Sequence, residues 1–267
     1  MARLLIFGLG YTAQALATRL ISDGWAVTGT SRDGRQGTIR FDNHARVLAE
    51  IAAASHILSS VPPEGEADPV LSAYGEALAQ SDAWRGYLSS TGVYGNAGGA
   101  WVDETTPVGA GRRNARTAAD TAWLGSGARV FRLPGIYGPG RSALDRVAEG
   151  RAHLVDVPAQ VFSRVHVGDI VAGIMAGFGA PAGAYNLADD APCSQNEVMR
   201  FAATLLGLPA PPFVALETLS PMARAFYAEN RRVANGKAKR LLGWCPRYAD
   251  YRAGLRALAL GRGPARP

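Results

Sequence analysis

Lysine and cysteine are scarce in this 267-residue chain, and both shortages restrict what it does. Only Lys237 and Lys239 are lysines among the 28 Lys and Arg residues, so the net charge of +6 rests on arginines scattered along the chain. That scatter predicts no nucleic-acid interface. The two cysteines, Cys193 and Cys245, belong to no CxxC or Cys/His motif, which excludes a disulfide framework and a zinc site and fits a reducing cytoplasm.

Long apolar runs are also missing. The first one, residues 4–7, meets Gly8 at once and is too short for a signal peptide or a membrane span. With 48% hydrophobic and 19% charged residues, the composition excludes disordered and fibrous classes. We therefore expect a cytoplasmic protein with a small-molecule substrate and no membrane partner; the pattern specifies no oligomeric state. No metal site is expected, because no ligand spacing links His44, His56, His153 and His166.

Strand-like and helix-like segments alternate along the first half of the chain. The predicted strands are 4–7, 25–30, 39–41, 56–61, 85–89 and 128–133, and the predicted helices are 13–21, 47–54, 70–79 and 114–124. Such alternation predicts an α/β fold with a doubly wound parallel sheet. We predict a dinucleotide-binding Rossmann domain over 1–140, to which 164–187 return. A smaller C-terminal substrate lobe would comprise 141–163 and 188–267.

The first strand ends in a glycine turn. Gly8, Gly10 and Ala13 form a G-x-G-x-x-A motif, and Tyr11 and Thr12 lie between Gly10 and the amphipathic helix that begins at Ala13. The first glycine allows the tight turn, the second lets a pyrophosphate approach backbone N–H groups, and the small Ala13 permits close helix packing. The alternative is a glycine turn that only serves packing. The strand before and the helix after favour dinucleotide binding.

The end of the second strand selects between the two nicotinamide cofactors. A carboxylate there binds the ribose 2′-OH of NAD, whereas an arginine accommodates the 2′-phosphate of NADP. This strand ends in Ser31 and Arg32, which predict NADP(H). Asp33 follows one position later and keeps NAD possible, and Arg32 could also be a solvated loop charge.

Four further motifs follow in order along nearly the whole chain. They are SSTGVYG at 89–95, RLPGIYGPG at 132–140, VHVGDI at 165–170 and LGW at 242–244. Together with the glycine turn they resemble the extended short-chain dehydrogenase/reductase superfamily, which includes NAD-dependent epimerases and dehydratases that act on nucleotide sugars.

The resemblance implies roles for individual residues. Ser90 would hydrogen-bond the reacting oxygen, with Thr91 as the alternative, and Pro134, Ile136 and Tyr137 would lie beside the nicotinamide. The residues that correspond to adenine and ribose contacts are Asp42, Ser59, Ser60 and Val61. A plain alternative for the serines is that strand ends often carry small polar residues.

The chain departs from the superfamily at its catalytic pair. In the superfamily, a lysine four residues after a tyrosine lowers the phenol pKa so that the tyrosine exchanges a proton. None of the nine tyrosines here has a lysine at that spacing, and Arg112 and Arg116 occupy the matching positions. The chain therefore resembles an atypical subgroup. Arginine cannot act as a general acid, but Arg112 could polarise a carbonyl or hold a carboxylate or phosphate, and Arg116 could hold ribose hydroxyls or a phosphate. Alternatively, Arg116 pairs with Asp120 on an exposed helix face.

Two tyrosines remain as candidate proton donors, and their positions in the motifs select them. They are Tyr94 and Tyr137, whereas His166 is expected to be structural. The basic run 231–240 either binds an anionic part of the substrate or is a solvated helix face. Two functions stay open: an NADP(H)-dependent oxidoreductase or epimerase/dehydratase acting on a nucleotide-sugar-like or carbonyl substrate, or an inactive NADP(H)-binding or sensing module.

Overall fold

The computed structural model describes residues 1–65, 67–109 and 114–261. A central sheet of seven parallel strands organises the fold. Its strands are β1 (Arg3–Phe7), β2 (Ala26–Ser31), β3 (Ile39–Arg40), β4 (His56–Ser59), β5 (Trp84–Ser90), β7 (Arg129–Leu133) and β11 (Gly183–Asn186). They lie in the order β11-β7-β5-β4-β1-β2-β3. The order reverses between β1 and β4, and in open α/β sheets ligands bind beyond the strand ends at such a point.

The helices cover both faces of this sheet and build a separate C-terminal layer. They are α1 (Tyr11–Ser22), α2 (His44–Ala53), α3 (Pro69–Ala79), α4 (Asn114–Gly125), α5 (Ala143–Ala148), α6 (Val167–Ala176), α7 (Gln195–Leu205), α8 (Pro221–Tyr227), α9 (Gly236–Leu242) and α10 (Tyr251–Leu260). None of the helices within the described ranges is long and apolar enough to cross a bilayer.

Apolar side chains at helical spacing decide which face each helix covers. Leu16 and Leu20 of α1 pack with Ile170 and Ile174 of α6 against one face. On the other face, apolar residues of α2, α3 and α4 pack together, with Trp123 at the centre. A third apolar cluster joins α5, α7 and α10. The α/β fold with a doubly wound parallel sheet, predicted from the sequence, is confirmed.

Six short strands form three two-stranded parallel sheets outside the central one. The pairs are β8 (Gly135–Tyr137) with β10 (Arg164–His166), β9 (Leu154–Val155) with β12 (Phe213–Val214), and β6 (Trp101–Val102) with β13 (Arg232–Val233). Residues 134–140 contain two prolines and three glycines, which are typical of a turn, and nevertheless include the strand β8. Its partner lies about 30 residues further along the chain, and local sequence does not reveal such a pairing.

Candidate active site

The glycine turn places an open helix N-terminus beside the end of β4. Gly8 has φ +81°, and a Cβ there would lie 3.0 Å from Cγ2 of Val61, so the close approach requires glycine. Gly10 is the N-cap of α1, and no side chain caps that helix. A Cβ at Gly10 would meet no described atom within 4 Å. Uncapped N–H groups next to open space fit the pyrophosphate of a dinucleotide.

The residues predicted to contact the adenine ribose lie at the ends of β2, β3 and β4. The Ser31 hydroxyl accepts a hydrogen bond from the Gly34 N–H (2.9 Å), so it holds the loop after β2. Arg32 is exposed and forms no ion pair with any described residue. Asp42 pairs with Arg40 at 2.6 Å. Arg32 is therefore the cation in this group that remains available to a phosphate.

A cavity of about 490 Å³ opens where β1, β4, β5 and β7 end. We call it the first cavity. It brings together many of the residues that the sequence singled out. Those that line it are Tyr11, Thr12, Ser60, Ser90, Thr91, Arg116, Pro134 and Ile136. Ser59 lies just behind this wall, fully buried, and its hydroxyl has no partner among the described residues. The fold brings these residues together at one cavity. Their individual roles stay predictions.

Ser90 and Arg116 present donors to this cavity. The Ser90 hydroxyl accepts a hydrogen bond from the Gly92 N–H (3.1 Å), which leaves its own proton available to another acceptor. The Arg116 guanidinium donates to the Tyr87 hydroxyl at 2.7 Å, and its cation is 5.9 Å from the centre of the Tyr87 ring. Tyr87 is fully buried, so it anchors Arg116 at the cavity wall.

Behind the wall lies a buried ion pair that joins α4 to β7. Arg132 donates to both carboxylate oxygens of Asp120, at 2.7 and 3.1 Å, and also to the Tyr94 hydroxyl at 3.0 Å. Tyr94 in turn donates to Oδ1 of Asn186 at 2.8 Å. The alternative in which Arg116 pairs with Asp120 on an exposed face is wrong, because Asp120 is fully buried and pairs with Arg132.

Neither tyrosine that was considered as a proton donor lines the first cavity. Tyr94 is buried and its hydroxyl proton is used by Asn186. Tyr137 is buried beside a second cavity of about 460 Å³, and its hydroxyl has no described partner. Burial, with Asp189 nearby, raises the pKa of Tyr137 far above its ordinary value, which disfavours proton release. Arg112 lies outside the described residues.

His166 acts as a helix cap. Its Nδ1 accepts the Gly168 N–H at 3.1 Å at the start of α6. Burial, helped by Arg247, lowers the pKa of His166 to about 4, so the imidazole is neutral near neutral pH. No cluster of three or more His, Cys, Asp or Glu side chains within the described ranges could hold a metal ion.

The buried carboxyl of Asp189 should make stability depend on pH. Its Oδ2 has no described partner, and burial, opposed by Arg164, raises the pKa of Asp189 to about 7 from an ordinary 3.8. Because the folded pKa is the higher one, this contribution to stability is complete below about pH 4 and falls as the pH rises to 7, by at most about 1.4 kcal/mol per pH unit. In urea denaturation, Asp189→Asn should gain stability relative to the wild type across this window. A difference that is constant with pH would contradict this.

Sequence reasoning missed the part of the first cavity wall that residues 161–163 and 226–229 build. Phe162, Phe226 and Glu229 line it, and no pattern in the sequence marks them. Arg141 also lines it, directly after the Gly-Pro-Gly turn. Among the basic residues of the run 231–240, only Arg231 lines the cavity, where it pairs with Glu229 at 2.9 Å. Neither interpretation, a run that binds an anionic part of the substrate or a solvated helix face, therefore describes all of residues 231–240.

Three further basic residues of that run have partners elsewhere. Arg232 donates to the carbonyl of Gly99, and Lys239 pairs with Asp190 at 2.6 Å. Lys237 lies 4.9 Å from the centre of the Tyr185 ring. Neither lysine can therefore replace the missing catalytic lysine at the first cavity.

Comparison with known proteins gives a relative that is similar over nearly the full length and several structures with the same fold. No protein-family model matches the chain. A functionally unknown conserved protein from Silicibacter pomeroyi is 40% identical, with a TM-score of 0.90, and the match covers 98% of this chain and 99% of that one. A Streptomyces 3-diazoavenalumate denitrifying reductase is 32% identical over 138 residues, which are 47% of this chain and 45% of the reductase. The match thus spans less than half of the reductase.

Two more distant structures carry nicotinamide cofactors. MoeE5 in complex with UDP-glucose and NAD has 20% identity and a TM-score of 0.77, over 97% of this chain and 98% of MoeE5. A human epimerase family protein with NADPH has 19% identity and a TM-score of 0.73, over 97% of this chain and all of that one. The chain belongs to one family with the Silicibacter pomeroyi protein, and its fold is that of the extended short-chain dehydrogenase/reductase superfamily, the group of NAD(P)-binding epimerases, dehydratases and reductases.

Proposed function

We propose that the chain is an NADP(H)-dependent reductase that transfers a hydride to a small-molecule carbonyl or a comparably electron-poor acceptor. The observation that carries the proposal is the first cavity, where the uncapped start of α1 at Tyr11 and Thr12 meets the donors of Ser90 and Arg116. When bound, the dinucleotide supplies the hydride. The reductase name of the Streptomyces relative supports the same reaction class.

The cavity lining offers no general base among its described residues, which fits a reaction that starts from a carbonyl rather than from an alcohol. Oxidising an alcohol by hydride transfer requires a base that takes the hydroxyl proton. Among the described residues of the lining there is no lysine, histidine or cysteine; the phenol of Tyr11 donates to the Pro139 carbonyl (3.1 Å), and Glu229 is paired with Arg231. Epimerases and dehydratases of sugars need such a base. Of the two predicted substrate classes, we therefore favour a carbonyl compound over a nucleotide sugar.

Ser90 and Arg116 can stabilise the charge that a reduction creates. Hydride addition to a carbonyl carbon would move the π electron pair to the oxygen, and the resulting alkoxide would take a proton from bulk water and leave hydroxide in the solvent. Ser90 would donate a hydrogen bond to that oxygen, and the Arg116 cation would lower the energy of the negative charge. Removing one such donor costs about a hundredfold in rate.

A hydride-transfer assay tests this function. NADPH oxidation would be followed with a panel of aldehydes, ketones and nucleotide sugars, and deuterium transfer from C4-labelled NADPH would be detected in the product. We expect turnover with a carbonyl substrate, and about a hundredfold lower kcat for Ser90→Ala with unchanged NADPH affinity. Ser72→Ala, at an exposed position of α3 outside the cavity lining, is the matched control. Turnover by Ser90→Ala equal to that of the wild type would show that Ser90 does not stabilise the reacting oxygen.

The missing Tyr/Lys pair also supports a second candidate, a binding or sensing module that has lost catalysis. In that case no substrate of the panel would oxidise NADPH, although the dinucleotide binds. A change in shape on NADPH binding, measured by small-angle X-ray scattering, would then favour sensing. The cytoplasmic location expected from the sequence is part of both proposals.

Cofactor preference is proposed to depend on Arg32. Because Arg32 is exposed and unpaired among the described residues, it can bind a 2′-phosphate without breaking another contact. Arg32→Ser should weaken NADPH binding about tenfold, near 1.4 kcal/mol, and leave NADH binding unchanged. Calorimetric titration measures both, with Arg46→Gln on α2 as the control. Equal losses for NADPH and NADH would show that Arg32 does not read the phosphate.

A further inference from the structure

The second cavity continues the first one into the C-terminal layer. It lies against α5, α7 and α10, and the two cavities share six lining residues. These are Gly135, Ile136, Arg141, Phe162, Ser163 and Phe226. A ligand whose reacting group lies at Ser90 can therefore extend into the second cavity, and the residues there would select it.

A buried arginine stands in the wall of the second cavity without a carboxylate partner. Arg164 is 7% exposed. Its guanidinium donates to neutral acceptors, the carbonyls of Phe162 (2.8 Å) and Cys193 (3.2 Å) and Oε1 of Gln195 (2.9 Å). Asp189 is near enough for Arg164 to lower its pKa, yet it forms no ion pair with it. A buried cation that lacks a counterion is costly, and an anion in the cavity would offset that cost.

Two further arginines extend this positive charge to the cavity rim. Arg141 and Arg146 are exposed and form no ion pair with any described residue, whereas Arg151 is paired with Glu149. The carboxylate in the described lining is that of Asp145, which accepts hydrogen bonds from the Ser142 backbone and hydroxyl. The electrostatic balance of the second cavity therefore favours an anionic group.

Two phenylalanines mark the passage between the cavities. The rings of Phe162 and Phe226 are parallel within 8°, with centres 4.3 Å apart, and both residues line both cavities. Phe226 remains 46% exposed although its ring is stacked. An exposed aromatic face beside a cavity favours contact with another planar apolar group.

The inner wall beyond Arg164 is apolar. Val198, Met199 and Leu255 line it, and Gln195 already accepts from Arg164. A nucleotide base would need polar partners for its edge, and these side chains supply none. A single acid group next to an apolar body matches the lining better than a nucleoside diphosphate does.

We infer that the substrate is a planar aromatic carboxylic acid, whose carboxylate binds at Arg164, Arg141 and Arg146 and whose ring lies against Phe226. This inference rests on the proposed reductase function, because it places the electron-poor end of the same molecule at Ser90. It makes Arg146 and Arg164 residues that determine specificity.

The test uses trans-cinnamate, its neutral isostere cinnamamide, and UDP-glucose. Each is titrated calorimetrically into protein saturated with NADP+, which allows no reduction. We expect cinnamate to bind at least tenfold more tightly than cinnamamide, and UDP-glucose to bind more weakly than cinnamate. Arg146→Gln should weaken cinnamate binding severalfold and leave NADP+ affinity unchanged. Arg200→Gln, an exposed residue of α7 outside the cavity lining, is the matched control.

Each result separates this inference from the proposed function. Binding of NADP+ without any cinnamate preference, or tighter binding of UDP-glucose, overturns the aromatic-acid inference and leaves the reductase proposal standing. Failure of NADP+ to bind overturns the proposed function. In that case cinnamate titrated into the free protein, with loss of affinity in Arg146→Gln, would still support the anion site. Arg146 is exposed, so its substitution should not unfold the protein.

Discussion

Replacing Arg132 by methionine should lower the free energy of unfolding by about 3–5 kcal/mol, because it leaves a buried carboxylate without its cation. Arg132 and Asp120 are 3% and 0% exposed, and two hydrogen bonds join them. Asp120 also accepts the Ser89 hydroxyl at 2.6 Å, a bond that does not replace the lost charge. Methionine fills a similar volume, so the loss measures mainly the charge.

Urea denaturation of wild type and variant measures this effect. The matched control is Arg40→Met, since Arg40 forms an exposed ion pair with Asp42 and such pairs contribute about 0.5 kcal/mol. Similar losses for the two variants would mean that burial does not set the strength of the Arg132–Asp120 pair. The network also matters for the site, because it joins the two elements, β5 and α4, that carry Ser90 and Arg116.

Replacing Gly10 by valine should abolish dinucleotide binding while the fold is kept. Gly10 has φ −87°, which other residues adopt readily, and a Cβ there would meet no described atom within 4 Å. The added side chain would instead occupy the space next to the uncapped N–H groups of α1. We expect at least a thousandfold loss of NADPH affinity, about 4 kcal/mol.

Calorimetry and urea denaturation together test this prediction. The free energy of unfolding of Gly10→Val should stay within about 1 kcal/mol of the wild type. Gly75→Val is the size-matched control, since Gly75 lies in α3 and a Cβ there also meets nothing within 4 Å. Undiminished NADPH binding by Gly10→Val would place the dinucleotide elsewhere or exclude it.

The fold could be predicted from the sequence because its signals are local. Periodic apolar residues in α1, α2 and α3, together with the strands between them, are read directly from short windows. The G-x-G-x-x-A turn could likewise be predicted from its own residues, since Gly8 is the residue of this motif that has a positive φ. Short strands such as β8 were not predicted, because they pair with segments that are distant in the sequence.

The candidate site was predicted only on its cofactor side. Ser90, Arg116 and Pro134 follow motifs at the ends of central strands, so their convergence follows from the parallel sheet. Phe162 and Phe226 come from a connection and a short helix whose positions depend on tertiary packing. Asp120 is buried because of how α4 packs on β7. It therefore pairs with Arg132 and not with Arg116, the partner considered from the sequence.

The most direct test of the account is a calorimetric titration of the purified protein with NADPH, NADP+, NADH and NAD+ at one fixed salt concentration. We expect all four to bind through the Gly8–Gly10 turn, and the two phosphorylated forms to bind at least tenfold more tightly, about 1.4 kcal/mol. The absence of binding by all four would contradict it, because the glycine turn would then serve packing alone and the reductase proposal would fall with it.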